Sequence, residues 1–335
     1  MPAVSPATIV NELIDAIHQS GGVAAYVSET TRTHPRKFVI SYGDQTYSLW
    51  VYIWTLTHGG RVSLPNEFRI QMTAVTSPLK ENPAGYTVLM GYYPDLKMFA
   101  GFDLKKHRVF TTGSPSVQIA ISAINNALQN GLSFTTKEND EIAIGVRPDQ
   151  FLNYCINSIQ LHSYGADSVL TEMLNKAVEL QEIPAQDIAD LAKERKKIVD
   201  KVSRYSRDAN FSKKVLNAYE NRCAVTRAQL RLIDAAHILP VPAGDSSDHI
   251  TNGIALSPTL HRAYDNCLIY LDEDYIMRLN KEKSDELKLN DLAAGLKQFC
   301  SLLDRKIHLP SDINQRPKIE YIKLANKYRR IPGYV

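Results

Sequence analysis

The sequence lacks the features that mark several common protein classes. Its four cysteines, Cys155, Cys223, Cys267 and Cys300, are widely spaced and form no C-x-x-C pair, which argues against a disulfide framework and predicts reduced thiols. No run of eighteen apolar residues is present, so no transmembrane helix is expected. The N-terminus has no basic start followed by a continuous apolar stretch, which argues against a secretory signal. Together these absences predict a cytoplasmic protein that does not bind membranes.

The chain also lacks a strong overall charge of either sign. The formal net charge is only +3 over 335 residues, so it predicts almost nothing about binding partners. Positive charge is nevertheless concentrated between Leu191 and Leu216, where nine Lys and Arg residues accompany three acidic residues and leave an excess of +6. Such a stripe can neutralise nucleic-acid phosphates, although a solvated helix face is an equally good interpretation. Lys213 and Lys214 near its end are candidate phosphate contacts.

The pattern along the chain predicts an α+β protein, and its length suits two domains. Short aromatic or β-branched runs bounded by Gly, Pro and Asn predict strands, for example at Tyr47–Trp54 and Glu141–Val146. Helical spacing predicts helices over Ala7–His18 and Ser116–Asn130.

Three segments follow from this pattern. We predict an N-terminal domain of mixed β-sheet and helices at 1–165, a helical basic linker at 166–205, and a C-terminal domain with a helical extension at 206–335.

One stretch of the C-terminal part predicts a compact ββα unit. Leu232–Ile238 is typical of a strand, and Gly253–Leu256 is typical of a second strand that returns after a Gly/Ser/Asp loop. Ser257-Pro258 is a strong helix start, because Ser can cap and Pro at the first helical position loses no needed donor. A short helix at Thr259–Asn266 would follow.

This unit brings together the groups that phosphodiester hydrolysis needs. A neutral imidazole can take a proton from water near pH 7, and imidazole and carboxylate ligands can hold a divalent cation that stabilises charge on the phosphate. His237 lies on the first strand, while His261 and Asp265 lie four residues apart on one helix face. Each feature alone would usually be structural, but their order on a ββα pattern favours a nuclease.

These residues resemble the HNH (ββα-metal) endonuclease family, in particular its restriction-type branch. The resemblance covers about 70 residues and rests on four motifs: Tyr219-Glu220-Asn221-Arg222-Cys223-Ala224-Val225-Thr226, Asp234-Ala235-Ala236-His237-Ile238, Asn252-Gly253-Ile254-Ala255-Leu256 and His261-Arg262-Ala263-Tyr264-Asp265.

The resemblance implies a role for each matching residue. His237 would be the general base, and Asn252 would be the middle Asn that holds the loop or contacts the metal. His261 would be the first helical metal ligand and Asp265 the second. A carboxylate at that place suits Mg²⁺, with Mn²⁺ or Ni²⁺ as alternatives. Arg262, beside a ligand, could reach a phosphate or face solvent.

Two positions depart from the family pattern. Many members carry a metal ligand immediately before the base, where this chain has Ala236. Asp234, two residues earlier, either orients the site or replaces that ligand. The C-x-x-C pairs of a structural zinc ribbon are also missing, so no structural zinc is expected.

A small ββα module has little surface for reading a DNA sequence, so we expect the 1–165 domain to recognise DNA. Arg61, Arg69 and Gln71 are candidate readers, because Arg and Gln suit the edges of guanine and adenine. The nearby strand aromatics Trp50, Tyr52 and Trp54 are more often core than contacts. Whether this domain selects a sequence or a modified base is open.

The sequence therefore predicts a restriction-type endonuclease that acts on double-stranded DNA in antiviral defence. Cutting both strands with one site per chain favours a homodimer. One alternative is a nucleic-acid-binding protein with an inactive HNH module, and another is an HNH toxin or recombination nuclease. Asp103-Leu104-Lys105 mimics half of a PD-(D/E)xK nuclease motif, but no suitable partner Asp lies upstream.

Overall fold

A computed structural model describes residues 4–60, 63–111, 113, 115–137, 140–165, 167–189, 191–230 and 232–334. The chain forms two compact units, Met1–Ala209 (unit 1) and Asn210–Val335 (unit 2). Helices and strands alternate irregularly along both units, which confirms the predicted α+β class.

The helices are α1 (Pro6–Gln19), α2 (Leu104–His107), α3 (Ile121–Asn130), α4 (Phe151–His162), α5 (Ser168–Val178), α6 (Ala185–Ala189), α7 (Lys193–Ala218), α8 (Pro258–Asp265), α9 (Lys281–Leu289), α10 (Leu296–Cys300) and α11 (Ile319–Tyr328). The strands are β1 (Val23–Tyr26), β2 (Arg36–Tyr42), β3 (Gln45–Thr55), β4 (Thr57–His58), β5 (Glu67–Gln71), β6 (Gly85–Tyr93), β7 (Met98–Phe102), β8 (Ser116–Ala120), β9 (Leu132–Lys137), β10 (Glu141–Val146), β11 (Asp234–His237), β12 (Gly253–Leu256), β13 (Ile269–Leu271) and β14 (Met277–Leu279).

Unit 1 is built on a seven-stranded sheet of order β1-β2-β3-β6-β7-β10-β9, in which β3 and β6 pair in parallel. From Val51 to Thr55, both faces of β3 are buried. Val51 and Ile53 join the core that includes α1, α4, α5 and α7, while Tyr52 and Trp54 join the core that includes α3 and the small sheet β4-β5-β8. A strand covered on both sides needs apolar residues at every position rather than at alternate ones, and this explains the continuous apolar run at 51–54.

The prediction of one helix over Ser116–Asn130 is wrong in its first part. Residues 116–120 form β8, which pairs antiparallel with β5, and α3 begins at Ile121. Val117 and Ile119 are both buried in the core. Their two-residue spacing is a strand period, which the longer apolar pattern of α3 obscured.

Helices α5, α6 and the first part of α7 account for most of the described residues between 167 and 205, but α5 and α7 pack on unit 1 instead of forming a separate linker. Leu170, Leu174, Ile198 and Val202 are buried in the main core of unit 1. Amphipathic helices with such a buried stripe belong to the domain that they cover, and the boundary between the units falls later, within α7.

Unit 2 contains the antiparallel pair β11–β12, followed directly by α8, and a second pair, β13–β14. Ser257 is the N-cap of α8 and Pro258 is its first residue. The helix buries Leu260 and Tyr264, so the adjacent positions His261 and Asp265 remain on its accessible side.

All four cysteines carry free thiols, as their spacing predicts. Within the described ranges, no helix has both the length and the apolar character needed to cross a membrane.

The β11–β12 pair generates a stability prediction. A Cβ added at Gly253 would lie 2.2 Å from Cγ2 of Val215 and 3.2 Å from the ring of Phe211. Because overpacking a core typically costs about 1–3 kcal/mol, we expect Gly253→Ala to lower the free energy of unfolding of unit 2 by about that amount. Hydrogen exchange of β11 and β12 peptides measures this change.

Gly244→Ala is the matched control for this substitution, because a Cβ at Gly244 has no neighbour within 4 Å. Equal exchange protection in the two variants would contradict the prediction.

Candidate active site

Strand pairing places the candidate base at the end of a short hairpin. In the β11–β12 register, Asp234 lies opposite Leu256 and His237 lies opposite Gly253. Ala235 and His237 line an open cleft, whereas Ala236, on the other strand face, is buried in the core. At the position where many HNH endonucleases carry a metal ligand, this chain therefore has a methyl group that packs in the core.

His237 is held by two neighbours. Its Nε2 lies 3.0 Å from Oδ1 of Asp248, and its ring stacks on Phe211 with centroids 3.8 Å apart and planes within 10°. The carboxylate favours the tautomer with the proton on Nε2, which leaves the lone pair on Nδ1. Phe211 shields one ring face from water, so the orientation of the imidazole is fixed before substrate binds.

Asn252 is fully buried and holds the loop between the two strands. Its Oδ1 accepts a hydrogen bond from the backbone N–H of Leu239, and its Nδ2 donates to the carbonyls of Leu239 and Ser247 and to Oγ of Ser246. Because the side chain is fully buried and both its oxygen and its nitrogen hold the loop, the amide is not accessible to a metal or a phosphate in the cleft. The loop-holding alternative is the one that fits this geometry.

His261 lies between two carboxylates. Its Nδ1 donates to Oδ2 of Asp234 at 3.2 Å, and its Nε2 lies 3.3 Å from Oδ2 of Asp265. The hydrogen bond to Asp234 is the main cause that raises the pKa of His261 above 6.5, partial burial opposes it, and the charges of Asp265 and Asp234 add to the rise. In this state both ring nitrogens face acceptors, as suits an imidazolium.

The two halves of the site share one cleft. His237 from β11 and His261 and Asp265 from α8 line a cavity of about 670 Å³. Tyr328, Arg329 and Arg330 at the end of α11 also line it. The ββα arrangement therefore brings the predicted base and the predicted metal ligands to a common surface.

The donors at His261 fit a divalent cation that keeps open coordination positions. Two ligands at right angles on an ion about 2.1 Å away lie about 3 Å apart, close to the 3.3 Å between Nε2 of His261 and Oδ2 of Asp265. Within the described part of the chain, no group of three His, Cys, Asp or Glu side chains converges as a metal cage. Water and phosphate oxygens would complete the shell, as is usual for Mg²⁺.

The other predicted DNA contacts lie outside this cleft or outside the described residues. Arg262 is exposed on α8, and Lys213 and Lys214 are exposed on the part of α7 that belongs to unit 2. In unit 1, Arg69 is partly buried and Gln71 is exposed on β5. Arg61 lies outside the described residues.

Three residues that sequence reasoning missed contact the candidate site. Asp248 and Phe211 contact His237, and Arg329 donates to the carbonyl of Ile238 at 2.6 Å. Asp248 sits in the predicted Gly/Ser/Asp loop, where an acid near a base was a usable signal. Phe211 and Arg329 are distant in sequence, and no local pattern marks them.

Comparison with known proteins identifies two domains. Residues 47–155 match the family described as Methylase-associated X1, and residues 223–272 match the family described as HNH endonuclease. The second match spans His237, Asn252, His261 and Asp265 and confirms the predicted HNH module, and with it the assignment of the chain as a nuclease.

Two further comparisons concern the whole chain. A solved structure described as "Modification dependent TagI restriction endonuclease" is similar at 12% identity and a TM-score of 0.28, over 84% of this chain and 82% of that one. A search of curated protein sequences found no match.

The electrostatics of His261 predict a pH dependence in the metal-free protein. Because its folded pKa is raised, the stability from the imidazolium is present below its ordinary value of 6.5 and is lost as pH rises through the folded pKa. In EDTA, we expect the NMR titration of His261 to have a midpoint above 6.5.

Asp234→Asn removes the largest cause of this shift, so the midpoint should fall towards 6.5 in that variant. Superimposable titration curves for the two proteins would show that Asp234 does not set the pKa of His261.

Proposed function

We propose that this protein is a restriction-type endonuclease that hydrolyses phosphodiester bonds in double-stranded DNA with a divalent metal and a histidine base. The observation that carries the proposal is the shared cleft of His237, His261 and Asp265 on a ββα unit. A general base and a pair of cation ligands facing one space are the minimum that metal-assisted hydrolysis of a phosphate diester requires.

Asp265 and Nε2 of His261 would hold the metal. Asp234 would not bind the metal itself. It would accept a hydrogen bond from the Nδ1–H of His261 and so fix which ring nitrogen faces the cation. Mg²⁺ is the preferred ion because it tolerates few protein ligands and keeps several waters, with Mn²⁺ or Ni²⁺ as alternatives. When bound, the cation stabilises negative charge on the phosphate and on the leaving oxygen.

His237 would supply the proton chemistry. With its Nε2 proton donated to Asp248, the Nδ1 lone pair takes a proton from the attacking water. The water oxygen forms a bond to phosphorus, the bond from phosphorus to the 3′-oxygen breaks, and the 3′-oxygen leaves as a hydroxyl after gaining a proton from solvent. Asp248 stabilises the imidazolium that results, because an ionised acceptor makes a stronger hydrogen bond to a charged donor.

Unit 1 would select the DNA. Its family is described as methylase-associated, and a nuclease paired with a methylase is the arrangement of restriction systems that act in antiviral defence. Arg69 and Gln71 on β5 are the proposed contacts of unit 1 with base edges. Lys213 and Lys214, in unit 2, are proposed separately as phosphate contacts of the nuclease module. Double-strand cleavage by one site per chain would use a homodimer.

Mapping of cuts on methylated and unmethylated genomic DNA distinguishes sequence-selective from modification-dependent cleavage.

The base assignment predicts the behaviour of His237→Ala. Positioned acid–base groups contribute roughly 10²–10⁴-fold to rate, so nicking of supercoiled plasmid in Mg²⁺ should fall by about that factor while DNA binding is retained. Undiminished nicking by the variant would remove His237 from the mechanism and favour a module that binds without cutting.

The orienting role of Asp248 predicts a smaller loss. Asp248→Asn keeps the shape of the side chain but can no longer stabilise a charged imidazole, and such supporting residues are typically worth about 10–100-fold in activity. Plasmid nicking across pH measures the effect. Asp245→Asn, in the same loop, is the control, and equal rates for the two variants would argue against an Asp248–His237 pair.

A further inference from the structure

The turn that follows α11 places an unpaired arginine at the cleft. α11 ends at Tyr328, Arg329 is its C-cap, and Arg330 is the next residue. Arg330 is exposed and lines the same cavity as His237, His261 and Asp265. Among the described residues, its guanidinium has no hydrogen-bond or ion-pair partner.

The residues on both sides of Arg330 are anchored. The guanidinium of Arg329 lies over the ring of Tyr264, 4.3 Å from its centroid, and donates to the carbonyl of Ile238 at 2.6 Å. Ile331 is fully buried in unit 2. Because both neighbours are anchored, the backbone of Arg330 is held at the rim of the cleft that this residue lines.

The backbone of Arg330 adopts a conformation that favours glycine. Its φ is +54°, and its N–H donates to the carbonyl of Lys327 while that of Ile331 donates to the carbonyl of Asn326. These two bonds define a Schellman motif in which Arg330 occupies the left-handed position, where glycine is the usual residue. An arginine there carries a conformational cost that glycine would not.

We propose that Arg330 binds a DNA backbone phosphate in the cleft, beside the phosphate that His237 and the metal site act on. The proposal deepens the nuclease function and rests on it. A guanidinium matches phosphate oxygens in a two-pronged geometry, and it offsets the repulsion that Asp234 and Asp265 would exert on the strand. The competing explanation is a cation that only stabilises the carboxyl end of α11.

Arg330→Gly separates the two explanations, because glycine relieves the left-handed backbone while it removes the charge. In a His237→Ala background, fluorescence anisotropy with a short DNA duplex should show binding weakened about 3–10-fold in Mg²⁺. The slope of log K against log salt should become shallower by about one. Thermal unfolding should occur at or above the temperature of the parent protein.

Two further variants serve as controls. Arg330→Lys keeps the charge but loses the two-pronged geometry, so it should retain the parental salt slope and recover only part of the affinity. Lys327→Ala removes an exposed cation of α11, and Lys327 does not line the cleft. This variant should leave the affinity and the salt slope unchanged.

Three results would overturn the inference. Parental affinity and salt slope in Arg330→Gly would do so, as would an equal loss in Lys327→Ala, which would mean unspecific attraction. A lower unfolding temperature together with weaker binding would assign Arg330 a structural role. Plasmid nicking by the wild-type chain decides the proposed function separately, because nicking can persist when Arg330 proves irrelevant, whereas absence of both nicking and DNA binding would remove both proposals.

Discussion

The candidate site depends on the close approach of helix α7 to the β11–β12 hairpin at Gly253. Because Gly253 has no side chain, Val215 and Phe211 pack directly against the strand backbone. Phe211 then lies close enough to stack on His237, which pairs with Gly253 across the hairpin. One missing side chain therefore allows the helix to pack on the hairpin and, in the same contact, fixes the imidazole that would accept a proton.

The second constraint is the direct passage from β12 into α8. Ser257 occupies the N-cap position, although its side chain makes no capping hydrogen bond, and Pro258 is the first helical residue. The helix therefore begins within two residues of the strand end. The buried stripe of Leu260 and Tyr264 then determines which face of α8 meets the core. His261 and Asp265 each follow one of these positions by one residue, so packing of the apolar stripe turns both proposed metal ligands towards the cleft.

Local patterns in the sequence were enough for some parts of the structure and not for others. The continuous apolar run of β3 and the ββα spacing could be predicted because period and cap residues are local properties. The strand at 116–120 could not, since its partner β5 lies far away in the chain and supplies the pairing that decides between strand and helix. The same holds for Phe211 and Arg329, whose roles arise only when distant segments pack together.

The packing of unit 1 also bears on how DNA bases would be recognised. A reader of an extruded base needs an open aromatic slot, but Tyr52 and Trp54 are buried, with their polar atoms bonded to the carbonyls of Lys80 and Thr73. The ring of His34 stacks on Trp54 at 4.3 Å, and burial, with help from Arg36, lowers its pKa to about 3, so it is a neutral packing element.

An extruded base would have to displace His34 from this stack. Arg69 and Gln71 share one face of β5, since they are two residues apart on a strand. In the proposed recognition of DNA by unit 1, contacts of such side chains with base edges in an intact duplex would require no rearrangement of the core. If unit 1 reads DNA as proposed, the packing around Tyr52 and Trp54 favours contacts with base edges over an extruded base bound at this stack.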